Sequence, residues 1–488
     1  MERLTEILDA IDGFVWGPFC LIPLLLGTGL WLTIRLRGIQ FRKLGSALWL
    51  GFIKRSDDGT DSRDGDISQY QALTTALAAT VGTGNIVGVA TALSIGGPGA
   101  LFWMWVTGLL GMASKYSEAF LAVRFRHRDK RGDITGGPQY YLKDAIGGKF
   151  GTFLATFFSI AAAIAAFGIG NGTQANSIAG NIEGSFGVPT VVTGLVMVAV
   201  TVLVLIGGIQ SIGKVTSALV PVMIAVYVVA ALILLGMNAA AIPAAFAEIF
   251  RTAFTGTAAA GGFTGSAFII ALQMGTARGI FSNESGMGSA AIAAAAAKTA
   301  HPTRQGLVSM TQTFIDTIIV VTMTGLVIVT TGTWQGGKDL AATMTGQAFD
   351  AGLRVTWGHY IVTISLVLFA YSTILGWCYY GERNIEKLLG RRWVMPYRIV
   401  FSLAVFVGCT AELGLVWTFS DIANGLMALP NLIGLLICSG LIARETKFYL
   451  DHDPKLRADK AEVDEFMTGH RGAIDAHWES IRLTAIHR

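Results

Sequence analysis

The chain has 488 residues, 52% of them hydrophobic and only 14% charged, with a formal net charge of +4. A mean hydropathy of +0.57 is too apolar for a soluble protein of this length. The basic excess is no nucleic-acid footprint, because the cations cluster in short loops between apolar runs, as membrane topology requires.

Met1 to Gly13 is acidic and lacks a basic leader region, which argues against a cleaved signal peptide. Hydropathy and turn residues then predict eleven crossings, at 14–35, 68–95, 99–124, 150–171, 188–208, 214–237, 263–298, 305–332, 357–381, 394–412 and 415–443. The cation-rich loops, Arg35 to Arg63, Arg124 to Lys149, Lys214, Lys298 to Arg304 and Arg383 to Arg392, fall on one side. Only Arg3, Arg251, Lys338 and Arg354 fall on the other. The positive-inside rule therefore predicts an N-terminus outside and a polar cytoplasmic tail over 444–488. The segment Ala244 to Gly262 is too polar in its middle to cross and is expected to lie flat on the outer side. Residues 1–443 read as a single membrane domain. The four cysteines, Cys20, Cys378, Cys409 and Cys438, show no metal-ligand spacing and read as packing residues.

The first span, 14–35, stands alone, and the ten that follow divide into two fives, 68–237 and 263–443. An odd-numbered repeat must insert with opposite orientation, so an inverted pair is expected. The first span of each five carries a glycine-broken run about 190 residues from its mate, Thr80-Val81-Gly82-Thr83-Gly84-Asn85 and Gly275 through Glu284. Glycine costs about 1 kcal/mol against alanine inside a helix. A break at membrane depth is tolerated only where its freed polar groups face protein or a watery cavity. Paired discontinuous helices point to the ion and solute site of a secondary transporter.

By the assigned topology, the outer half of the second span starts near Gly84, Asn85 and Ile86, offering N–H groups and a positive dipole end to a carboxylate. The inner half ends at Ala78 to Val81, whose carbonyls suit sodium. The seventh span runs the other way, so its outer half is expected to end at Gln273, Met274 and Gly275 and to turn carbonyls toward an ammonium group. Together these describe a zwitterionic amino acid.

Other readings compete at each position. Gly84 and Gly88 also form a GxxxG packing pair, while a dinucleotide loop would need a preceding strand that is missing. Arg278 and Glu284 are intramembrane charges that must pair or face water. Asp316, and Glu118 with Lys115, are the candidates if protons drive transport, although Lys115 and Glu118 also suit mutual neutralisation at i, i+3. Asn171, Gln174 and Asn176 read as residues closing the fourth span. Ser372 and Thr373 read as hydroxyls bonding back along their own helix, and Trp377 as an interfacial anchor or a cavity wall. A channel would need a pore-lining ring and an enzyme a nucleophile, metal set or cofactor loop. Neither constellation is visible.

The strings Thr80 to Asn85 with Gly96 to Trp105, Gly136 to Tyr141, Ala277 to Ser289 and Phe314 to Thr317 resemble the sodium:alanine symporter family, also called alanine or glycine:cation symporters, over nearly the whole chain. The resemblance implies an all-α leucine-transporter-like fold, a 5+5 inverted repeat with one extra N-terminal helix. It implies uptake of small neutral amino acids coupled to Na+, with the lipid bilayer as surroundings and no nucleic-acid partner. It places substrate contacts at Thr80, Gly82, Thr83, Gly84, Asn85, Gln174, Thr276, Gly279, Ile280 and Trp377, and the cation at Ala78, Val81, Ser372 and Thr373. Trp377, Ile280 and Phe167 are then expected to limit side-chain size. Gln139 and Ala291 depart from the family's usual Met and Pro, away from that site.

Overall fold

The computed structural model describes residues 2–17, 19–61, 64–129, 132–205, 208–255, 264–470, 472 and 475. Among these, Gly148–Phe186, Ser211–Met237, Pro302–Thr331, Gly358–Leu389, Arg391–Thr410 and Val416–His452 are helices long and apolar enough to cross a membrane. Leu21–Arg35, Val87–Gly96 and Thr190–Leu205 are shorter apolar helices. This is a multi-pass helical membrane protein. The only strand pair among the described residues is His127–Arg128 with Ile134–Thr135.

The helices that build its centre are α1 (Gln69–Thr80), α2 (Val87–Gly96), α3 (Gly99–Arg124), α4 (Gly148–Phe186), α5 (Thr264–Asn283), α6 (Ala291–Ala295), α7 (Pro302–Thr331), α8 (Gly358–Leu389) and α9 (Leu413–His452). A capping box starts α1: Ser68 Oγ accepts from Gln71 N–H at 3.1 Å, and Gln71 Oε1 from Ser68 N–H at 3.0 Å. Pro302 starts α7, where a missing N–H costs nothing. Small residues then let backbones close up around α3. A Cβ on Gly275 would lie 2.3 Å from the Ala100 carbonyl, and one on Gly279 2.5 Å from Thr107 Oγ1.

Three expectations are corrected. The seventh span does not break at Gly275: α5 runs on through Asn283, because Gly275 and Gly279 serve close packing. The interruption comes at Glu284, with positive φ at Glu284, Gly286 and Gly288 (56, 89 and 80°). The fourth span does not close at Asn171. It passes through a π turn at Gly168–Gly172 and continues to Phe186, since a wide turn absorbs the polar run without ending the helix. The region after Arg35 is not all loop, as Leu44–Lys54 is helical. Ile242–Thr255 is also a helix, packed on α3 through Phe250 and Phe102, and 256–263 lie outside the described residues.

Candidate functional site

The first interruption separates α1 from α2. Val81 turns extended (ψ 91°), Gly82 follows at φ −142° and ψ −149°, and one tight turn over Thr83–Asn85 leads into α2. Its freed donors are taken up by neutral side chains: Gly82 N–H donates to Asn85 Oδ1 at 2.9 Å, and Thr83 N–H to Gln174 Oε1 at 2.9 Å. The π turn of α4 aims Gln174, whose Nε2 donates to the Ile169 carbonyl at 2.8 Å. Gly82 is confined by its neighbours, since a Cβ there would sit 2.5 Å from Thr373 Oγ1 and 2.9 Å from Gln174 Oε1.

On the carbonyl side, Ala78 O lies 3.1 Å from Ser372 Oγ and 3.0 Å from Thr373 Oγ1, and Val81 O lies 3.5 Å from Thr373 Oγ1. Both hydroxyls also face the Phe369 carbonyl, at 2.8 and 3.1 Å. With Gly82 N–H turned away to Asn85, the Ala78 and Val81 carbonyls fall outside the helical ladder, so two freed carbonyls and two hydroxyls are gathered in one place.

The second interruption, Glu284 to Ala290, joins α5 to α6 and is held by ions. Lys115 Nζ donates to the Glu284 carbonyl at 3.0 Å, a cation on the negative end of α5. Glu118 Oε1 accepts from Gly288 N–H at 3.0 Å and Asn431 Nδ2 at 2.8 Å, with Lys115 3.7 Å from its other oxygen. The Glu284 carboxylate accepts from Trp377 Nε1 at 2.7 Å and from Ser289 Oγ. Trp377 is fully buried, and a Cβ on Gly170 would lie 2.2 Å from its Cβ, so the indole lines the interior between α4 and the second interruption.

Asp316, in the π turn Phe314–Val321 of α7, ties the two interruptions together. Its Oδ1 accepts from Asn85 Nδ2 at 2.7 Å, and its Oδ2 from Ser282 Oγ at 2.9 Å and Thr317 Oγ1 at 2.8 Å. Ser282 sits two residues before Glu284, and a Cβ on Gly84 would lie 2.9 Å from Ser282 Cα, so the first interruption touches the end of α5 here. This bridging role was missed in the sequence; the readable signal was an ionisable residue inside an apolar span. The same signal marks Arg278, which pairs with Asp421 of α9 and lies over the Trp417 ring at 4.9 Å.

Of the residues expected at the site, Gly82, Thr83, Asn85 and Gln174 converge through direct bonds, and Ala78, Val81, Ser372 and Thr373 form the oxygen cluster beside them. Gly84 meets Phe281 and Ser282, and Trp377 meets Glu284. Thr80 bonds back to Ala76 O at 2.9 Å. Gly279 faces Thr107 and Met104 of α3, Ile280 is buried, and the Thr276 hydroxyl is buried without a partner. Phe167 packs on Tyr397 and Phe401, each at 5.5 Å between ring centres.

The fold and this interior define a polytopic membrane protein built around two opened helices. It shares its fold with a manganese transporter mutant from Eremococcus coleocola, at a TM-score of 0.52 and 13% identity, covering 89% of this chain and 97% of that one. The model of the sodium:alanine symporter family matches residues 1–464, and the chain belongs to that family. It is 51% identical over 449 residues to the sodium/alanine symporter AgcS of Methanococcus maripaludis, covering 91% of this chain and 97% of that protein. It is 33% identical to the probable sodium/glutamine symporter GlnT of Bacillus subtilis, over 97% and 96% of the two.

Proposed function

We propose that this protein is a sodium-coupled symporter that imports alanine and similarly small neutral amino acids by alternating access. The observation that carries the cation half is the crowded oxygen cluster of Ala78, Val81, Ser372 and Thr373, where two carbonyls freed from the helix meet two hydroxyls. Carbonyl and hydroxyl oxygens are the donors a hard cation takes. Sodium, as cargo, relieves the crowding by bridging those oxygens while each hydroxyl keeps its proton on Phe369 O.

The amino acid lies against the first interruption. Its carboxylate faces the backbone at Gly82, Thr83, Gly84 and Asn85, Gln174 and Thr80 flank it, and Trp377 bounds its side chain. Thr276, Gly279 and Ile280 complete the wall on α5. A cavity of about 300 Å³ reaching from Val87 past Asn176, Gln347 and the His359–Asp350 pair supplies an approach. The molecule crosses eleven times as two inverted five-helix repeats behind one extra helix. Its N-terminus is outside and its C-terminus in the cytoplasm, in a bacterial inner membrane.

A second reading, proton coupling, rests on Asp316, the carboxylate bonded to both interruptions. Uptake of labelled alanine into proteoliposomes separates the two. An inward sodium gradient is expected to drive accumulation and a proton gradient alone to leave alanine at equilibrium. Equal accumulation under the proton gradient alone would move coupling to Asp316.

A further inference from the structure

Leu21–Arg35 ends beside α9, where a Cβ on Gly440 would lie 3.3 Å from Arg35 Nη2. Between them opens a cavity of about 500 Å³ lined by Arg35, Arg37, Arg42, Arg444 and Lys447, with Asp451 as the one carboxylate on its described wall. Arg35, Arg37, Arg42 and Lys447 take part in no ion pair among the described residues. Arg42 reaches only the Arg37 carbonyl, at 3.3 Å, and Arg35 lies 5.7 Å from the centre of the Trp31 ring. Leaving aside Arg444, which has a partner, the other four converging cations with so little counter-charge repel one another, which an anion seated among them would reverse.

The surroundings say what carries that anion. The cavity lies at the end of an apolar span on the cation-rich side, and Trp31, which Arg35 overlies, and Ile34 and Phe41, chain neighbours of the lining Arg35 and Arg42, are exposed. A free phosphate needs no apolar surface next to its site, whereas a phospholipid needs both. We propose that this cavity takes the phosphate-bearing headgroup of an anionic phospholipid, with the acyl chains running over Ile34 and Phe41. The five cations belong to neither interruption, so the inference stands independently of the transport reading.

The test is native mass spectrometry of the full chain in detergent, equilibrated with equal amounts of phosphatidylglycerol and phosphatidylcholine. Phosphatidylglycerol is expected to be retained preferentially. Each cation at a membrane surface strengthens anionic-lipid binding roughly five-fold, so Lys447→Gln should weaken retention about five-fold and Arg37→Gln with Arg42→Gln about 25-fold. The charge-keeping pair Arg37→Lys and Arg42→Lys should stay within about two-fold of the parent. Equal retention of the two lipids, or unchanged phosphatidylglycerol retention in the folded glutamine variants, would overturn the proposal. Displacement of the lipid by millimolar inorganic phosphate would assign the cavity to free phosphate and overturn it as well.

Discussion

At Val81 to Ile86 the opened backbone is held by neutral groups, Gln174, Asn85, Ser372 and Thr373; at Glu284 to Ala290 it is held by ions, Lys115 and Glu118, with Asn431 and Trp377 alongside. Neutral partners can exchange for cargo without leaving a bare buried charge, because an unmade neutral hydrogen bond costs about 1–3 kcal/mol. Breaking a buried ionic clamp costs about 3–5 kcal/mol. The first interruption is therefore suited to bind and release, and the second to keep its shape. Asp316 keeps the two in register.

The comparison is most severely strained by Gly82→Ala. Its φ of −142° is negative, so handedness is no obstacle, but the added Cβ would press on Thr373 Oγ1 and Gln174 Oε1. Sodium-driven alanine uptake should fall by more than about a hundredfold, with the melting temperature of the purified protein little changed. Retained uptake would remove the first interruption from the site. Lys115→Met attacks the other side by leaving Glu118 and the Glu284 carbonyl without their cation. A loss of about 3–5 kcal/mol is expected, read as a marked drop in melting temperature. An unchanged melt would mean the second interruption is not ionically clamped.

Asp316→Asn keeps the shape but gives up one acceptor, so Asn85, Ser282 and Thr317 cannot all be served. About a tenfold fall in uptake is expected, from one lost hydrogen bond of roughly 1.5 kcal/mol. Full activity would uncouple the two interruptions. Trp377→Ala should act least on alanine itself while opening the wall, so that leucine competes for uptake about tenfold better. Unchanged leucine competition would take Trp377 out of the pocket.

The first interruption was legible because Gly82 and Gly84 interrupt a helix otherwise rich in alanine and leucine, and both sit where neighbours leave no room for a Cβ. The second was misplaced because Gly275 and Gly279 carry the same composition signal for another reason, close approach to α3. Position along the chain does not separate a packing glycine from a breaking one. The true break lies at Glu284, whose left-handed backbone is uncommon for a non-glycine residue, followed by Gly286 and Gly288. Gln174 read as a helix-closing residue because polar composition cannot show the π turn that turns it inward. Asp316 was visible as a charge in an apolar span, but its donors come from α2's entry turn and α5, which only tertiary packing brings together.

The most direct measurement is alanine binding to purified protein as sodium is titrated, parent against Thr373→Val. The valine keeps the volume but removes a hydroxyl oxygen that lies 3.0 Å from Ala78 O and 3.5 Å from Val81 O. Sodium should be needed at about tenfold higher concentration, matching the loss of one oxygen ligand worth roughly 1.4 kcal/mol, while alanine affinity at saturating sodium stays close to the parent's. A sodium curve that does not move would contradict the assignment of the cation to the first interruption.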